Sequence, residues 1–191
     1  MNTSDRLEAI RLAQTHVAQR PVYLDTETTG VGKSDVIVEI AVIDYDGSIL
    51  VNSLVRPNKK IPFGATNVHG ITDEMVKNAP LWSEVWEKVK AVLTDRAVAI
   101  YNADFDTRLM KQSHTNNQMH WRNPAGTTFF DVMQLYAQFY GKWNPRYGNY
   151  RWQSLDAAGK QCGIALQNTH RALDDTLLTR DLLRYMAKQE K

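Results

Sequence analysis

The chain has 191 residues with 43% hydrophobic content, enough for one well-covered core and short for two. Its 23 basic and 21 acidic residues give a net charge of +2, so no global field selects nucleic acid or a membrane, and any electrostatic footprint is local. The single cysteine, Cys162, excludes an internal disulfide, no segment reaches the roughly 20 apolar residues of a membrane span, and MNTSDRLEAIRLAQ has no signal-peptide core, so a cytoplasmic protein with one domain over 1–191 is expected.

A first helix is predicted from Ser4 or Asp5 to Gln19, where Leu7, Ile10, Leu12, Ala13 and Val17 make an uneven apolar stripe. Pro21 ends it, leaving 1–20 as a helical extension to a core over 21–186. Three strands follow, PVYLDTE, VIVEIAVIDY and SILVNSLVR, and Asp46-Gly47 between the last two favours a tight hairpin, which makes an antiparallel meander. After a loop, PNKKIPFGATNVHG, Thr72 reads as the N-cap of one helical stretch through SEVWEKVKAVL, with Trp82, Val85, Trp86, Val89 and Leu93 as its core face. The pattern then alternates: strand AVAIYN, a helix from Ala103 to His114, strand TTFFDV, helices MQLYAQFY and SLDAAGKQCG, and a final helix from Arg171 to Gln189. Strands separated by helices pair in parallel through crossovers. The fold class is therefore α/β, with a five-stranded mixed sheet, a three-strand antiparallel meander plus two parallel strands, flanked by helices.

DTETTG, residues 25–30, closes the first strand. Asp25 and Glu27 stand two apart, so both carboxylates leave the same face roughly 6.5–7 Å apart along the chain, where they could hold one metal ion. Like charges placed so close raise one another's pKa unless a cation compensates, and Gly30 lets the chain turn away beyond them. An Asp-x-Glu alone reads as a solvated strand end. Two further acidic segments change that reading. YNADFD, 101–106, lies where a strand ends and a helix begins, and HRALDD, 170–175, opens the final helix. Carboxyl ends of strands in such sheets form the crevice where ligands bind, so Asp106 and a carboxylate of HRALDD can join the first pair. His170, ahead of that helix, is an accessible imidazole able to take a proton. Helical periodicity does not choose between Asp174 and Asp175.

With these segments in place the chain resembles the DEDDh 3′-5′ exonucleases, the group that contains the proofreading epsilon subunit of bacterial DNA polymerase III, ribonuclease T and oligoribonuclease. DTETTG matches the first motif, YNADFD the second and HRALDD the third, with the histidine five positions before the last aspartate, which selects Asp175. RPNKKIP to VHGITDEM is similar to the epsilon-type branch, and the resemblance covers about residues 21 to 186. It implies a ribonuclease H-like fold and hydrolysis of nucleotides from 3′ ends by a two-metal-ion mechanism. Asp25, Glu27, Asp106 and Asp175 would hold two Mg²⁺ or Mn²⁺ ions, Asp25 shared between them, and His170 would act as general base. Hard oxygen ligands suit these ions, and no Cys/His cluster suggests zinc. The resemblance also assigns Thr26, Thr28, His69, Asn102 and Phe105 to the pocket of the terminal nucleotide. Phe105 reads equally as a core anchor and Thr26 as a strand filler.

The implied partner is nucleic acid with a free 3′ end, DNA favoured over RNA, with no membrane and no indicated protein partner. An exoribonuclease is the alternative. A non-cleaving nucleic-acid or polymerase-binding module predicts loss of an acidic ligand or of the histidine, and none is lost. GKWNPRYGNYRW, 141–152, interleaves Lys142, Arg146 and Arg151 with Trp143, Tyr147, Tyr150 and Trp152, and reads either as a single-strand contact surface or as a loop pinned by its aromatics or a dimer contact. Glu39 interrupts VIVEIAVI and reads as structural, needing a partner if buried. His114 and His120 flank a polar loop with nothing that suggests a metal.

Overall fold

A computed structural model describes residues 3–166 and 169–190; residues 1, 2 and 191 of the expected domain, and 167–168 just ahead of HRALDD, lie outside it. Five strands, β1 (Val22–Thr28), β2 (Ile37–Ile43), β3 (Ile49–Leu54), β4 (Ala97–Ile100) and β5 (Thr128–Asp131), form one sheet in the order β3-β2-β1-β4-β5. The first three pair antiparallel, while β4 runs parallel to both β1 and β5. This is the mixed sheet expected from the sequence. The Asp46-Gly47 turn closes as predicted, with the Asp44 N–H donating to Ser48 O at 2.8 Å and Gly47 at φ 99°.

Eight helices, α1 (Thr3–Ala18), α2 (Phe63–His69), α3 (Asp73–Val76), α4 (Trp82–Leu93), α5 (Ala103–Asn116), α6 (Val132–Tyr140), α7 (Leu155–Gln161) and α8 (Ala172–Ala187), are found among the described residues. A two-stranded hairpin, β6 (Trp143–Asn144) with β7 (Asn149–Tyr150), lies inside the segment read as a loop. Two other local readings need correction. PNKKIPFGATNVHG contains α2, which starts after Pro62 at φ −63° and stops where Gly70, at φ 72°, donates its N–H to Thr66 O at 2.7 Å. The helical stretch opened by Thr72 is two helices. The Thr72 hydroxyl does accept the Met75 N–H at 3.3 Å, but Pro80 disfavours helical backbone before it, and α4 begins afresh with the Glu84 carboxylate accepting the Leu81 N–H at 2.8 Å.

The sheet is buried on both faces. On one side α1, α6, α7 and α8 enclose Ile10, Tyr23, Ile43, Tyr136, Leu182 and Leu183; on the other α4 and α5 enclose Leu24, Ile40, Trp82, Trp86 and Leu109. Each large side chain so buried stabilises by about 1.5–3 kcal/mol before entropy is counted. The N-terminal extension belongs to the first layer, since Ala9, Ile10 and Ala13 are fully buried and the Arg6 guanidinium donates to Phe139 O at 2.7 Å. Alternation along β1 follows from the same layers. Tyr23 faces α8 and Leu24 faces α5, so Asp25 and Glu27 continue toward α8 while Thr26 turns toward α5. No described helix is long and apolar enough to cross a membrane.

Candidate active site

The carboxyl ends of β1, β4 and β5 lie together because those strands run parallel, and α5 and α8 both begin at that end. There Asp25, Glu27 and Asp175 bring one carboxylate oxygen each within 4.8 Å of one another. Asp175 is buried and Asp25 and Glu27 are half-buried. Asp174 is not one of the three and accepts the Thr169 hydroxyl at 2.5 Å. Asp106, 2% exposed on the first turn of α5, stands beside the trio and accepts the Thr26 hydroxyl at 2.7 Å.

Burial is the first cause that lifts these groups above the ordinary carboxylate range, and their mutual repulsion adds to it. Glu27 is pushed up to about 8, with Asp175, Glu39 and Asp106 as its repelling neighbours. Asp175 rises to about 7 by burial and by Asp174, and Asp106 to about 7 by burial against the lowering effect of the Thr26 hydrogen bond. Asp25, its carboxyl buried and repelled by all three, is held well above the ordinary carboxylate range. Oδ1 of Asp175 is buried without a hydrogen-bond partner. An orphaned oxygen facing two more carboxylates is what a divalent cation with hard oxygen ligands would satisfy, so the residues present fit the metal.

His170, five residues before Asp175, is exposed, with left-handed backbone at φ 53°, a conformation histidine adopts more readily than most residues. It is near enough to His69 to disfavour a second positive charge there. The next residue, Arg171, is held by a buried carboxylate: its Nε donates to Oε2 of Glu39 at 3.0 Å, and the Ala172 N–H donates to the same oxygen at 3.0 Å. Glu39 stands directly opposite Glu27 across β1 and β2, where two like charges would repel without Arg171. The sequence marked Glu39 as needing a partner; the partner, far along the chain, carried no local signal.

Of the residues assigned to the terminal nucleotide, Thr26, Thr28, His69 and Phe105 line one cleft of about 420 Å³, walled also by Val31, Pro62 and Val68. Several of their polar atoms already have partners. The Thr28 hydroxyl donates to Gly30 O at 2.8 Å; His69 Nδ1 accepts the Ile71 N–H at 3.0 Å, so its Nε2 is the protonated nitrogen facing Thr28 O at 3.1 Å. Burial keeps His69 below its usual pKa, in the neutral form that this pattern requires. Asn102 does not line the cleft: it takes φ 72° at the start of α5, where its N–H and that of Ala103 reach the Asp131 carboxylate at 3.4 and 3.0 Å. A feature the sequence did not signal is the brace on the loop after β1. Asp35 accepts the Thr29 hydroxyl at 2.8 Å and the Gly32 N–H at 2.7 Å, pairs with Lys59 at 2.8 Å, and sits where a Cβ on Gly30 would meet it at 2.7 Å.

A mixed sheet in this strand order, carrying clustered carboxylates at its carboxyl end, defines a metal-dependent nuclease with a ribonuclease H-like fold. The chain belongs to the RNase_T exonuclease family, whose family model matches residues 22–183. It is 38% identical over 174 residues to the exonuclease CP81 of Escherichia phage 186, covering 87% of this chain and 88% of that protein. To DNA polymerase III subunit epsilon of Pasteurella multocida it is 30% identical over 175 residues, covering 86% of this chain but 65% of the subunit. Among solved structures, exonuclease X in complex with 5′ overhanging duplex DNA superposes with a TM-score of 0.64 at 27% identity, over 86% of this chain and 90% of that one.

Proposed function

We propose that the protein is a 3′-5′ exonuclease that removes nucleotides from single-stranded or frayed 3′ ends of DNA, with Asp25, Glu27, Asp106 and Asp175 holding two Mg²⁺ or Mn²⁺ ions. The observation that carries the reading is the convergence of the Asp25, Glu27 and Asp175 oxygens within 4.8 Å. When bound, such ions neutralise charge at phosphorus and make the attacking water more acidic. His170, exposed and five residues ahead of Asp175, would act as general base and take a proton from the attacking water on its imidazole. Thr26 favours the ionised form of Asp106 by donating to it, against the burial that raises its pKa. The apolar cleft beside Phe105 takes the terminal base, with Phe105 against its face and the neutral His69 holding the floor through Thr28. The preference for DNA is supported by the DNA carried by exonuclease X and by the DNA polymerase likeness. One core over 21–186, with α1 folded onto it and Cys162 reduced, suits a cytoplasmic enzyme.

The test is parallel digestion of 5′-labelled single-stranded DNA, duplex DNA and RNA of one sequence. Faster shortening of single-stranded DNA than of RNA is the expected result. Preference for RNA would make the protein an exoribonuclease, with the 2′-hydroxyl as the discriminating group.

A further inference from the structure

The segment between α6 and α7 has no role in the reading above, although it presents three exposed aromatic rings close together in sequence. Trp143, Tyr147 and Trp152 are 51, 67 and 61% exposed. We propose that the β6–β7 hairpin and Arg151-Trp152 form an accessory surface for single-stranded nucleic acid, gripping the substrate strand upstream of its 3′ end. The inference rests on the exonuclease reading for the identity of that strand.

Three observations carry it. First, the surface is charged for a polyanion: no acidic residue occurs between Asp131 and Asp156, while Lys142, Arg146 and Arg151 all point to solvent. Second, the hairpin is fixed before anything binds. The Arg151 N–H donates to Lys142 O at 2.8 Å, Trp143 and Tyr150 meet edge to face at 5.1 Å, the Tyr150 hydroxyl donates to the Asp5 carboxylate on α1, and the Tyr101 hydroxyl donates to Gln153 O at 2.9 Å. A hairpin whose backbone is fixed in this way loses little backbone entropy when its exposed rings stack with bases. Third, the surface extends toward the start of α5. A cleft of about 530 Å³ is lined by Tyr147, Arg151 and Trp152, and one of about 360 Å³ shares Tyr150 and Trp152 with it and is lined on another side by Asp131. Asp131 in turn holds the first N–H groups of α5, whose next residues include Phe105 and Asp106. Protein interfaces concentrate apolar residues and exclude charge at their centre, whereas cations alternating with rings suit phosphates between stacked bases.

Binding is read in EDTA, so that no strand is shortened, by fluorescence anisotropy with 5′-fluorescein oligothymidylates of about 20 and about 4 nucleotides, lengths that do and do not span a typical single-strand site. The variants are Tyr147→Ala/Trp152→Ala and, separately, Arg146→Glu/Arg151→Glu, each checked by circular dichroism. The Kd for the long strand should rise roughly tenfold or more in each variant, well beyond any rise for the short one. The charge variant should also flatten the salt dependence, by about 0.7 in log–log slope for each phosphate that is no longer neutralised. Long-strand affinity within about twofold of wild type in both folded variants would overturn the proposal. So would unchanged affinity accompanied by conversion of a dimer to a monomer in sedimentation, which would assign the face to a second copy of the chain. Digestion of the same strands by the wild type separates the two readings, because loss of the hairpin inference leaves that activity standing, and absence of activity leaves the affinity comparison intact.

Discussion

Glu39 and Arg171, 132 residues apart, meet in a two-point ion pair, Nε on one carboxylate oxygen and Nη2 on the other. The carboxylate is 3% exposed and also accepts the first N–H of α8, so one buried strand residue fixes the helix start that carries His170 on one side and Asp175 on the other. Removing the cation leaves a buried charge unpaired opposite Glu27. Arg171→Ala should therefore destabilise by about 2–3 kcal/mol, below the ~3–5 kcal/mol of a fully buried pair because the guanidinium is partly in water. Arg171→Lys should recover only part, since an ammonium cannot make both hydrogen bonds. Urea melts check both, and an Arg171→Ala midpoint equal to wild type would remove the clamp from the account.

The carboxylate cluster sets how stability depends on pH when no divalent ion is present. The unfolded chain releases these protons near pH 4, at about the ordinary carboxylate values. In the fold Asp106 and Asp175 hold theirs to about 7 and Glu27 to about 8. Between those limits the native state binds more protons than the unfolded one, so stability falls as pH rises. Thermal melts in EDTA should show Tm dropping from about pH 5 to about pH 8. A Tm that rises over that window contradicts the raised values.

A cation that satisfies Asp175 and screens its neighbours should reverse that loss. At a hundredfold excess over its Kd, Mn²⁺ or Mg²⁺ stabilises by about 2.7 kcal/mol. For a chain of this size that is a Tm increase of roughly 5–10 °C. The increase should be larger near the alkaline end of the window, where the carboxylates are charged, and should largely vanish in Asp175→Asn. Differential scanning fluorimetry reads all three comparisons.

Thr26 donates to Asp106 at 2.7 Å and so favours its ionised form. Thr26→Val keeps the shape and removes the donor. It should cost about 1–3 kcal/mol of stability. The acid limb of the pH–rate profile should move to higher pH, while Thr26→Ser should keep the wild-type limb. A Val variant with an unmoved limb would mean that Asp106 is set ionised by something else.

The sheet was legible because its signals are local. The Asp46-Gly47 turn marks the meander, and alternating apolar strands with helices marks the crossovers. The misread parts lie where local signals are short or conflict: α2 has seven residues framed by Pro62 and Gly70, Pro80 splits an otherwise continuous helical pattern, and β6 and β7 have two residues each. The acidic residues of the site were legible as motifs, and the fold brings Asp25, Glu27 and Asp175 together. What the sequence could not carry is who holds them. The Glu39–Arg171 pair, the Thr26–Asp106 bond and the Asp131 grip on Asn102 and Ala103 each join segments with no shared pattern, and they exist only once the sheet is closed.

The central claim is that Asp25, Glu27, Asp106 and Asp175 hold the divalent ions with which the chain shortens DNA from its 3′ end. It is tested most directly by incubating a 5′-labelled single-stranded oligonucleotide with wild type and Asp25→Asn, with Mg²⁺ or with EDTA, beside a circular strand of the same sequence. The account predicts a ladder of progressively shorter 5′-labelled products from the wild type with Mg²⁺ alone, and an intact circle throughout. Equal cleavage in EDTA, equal cleavage by Asp25→Asn, or cutting of the circle would contradict it.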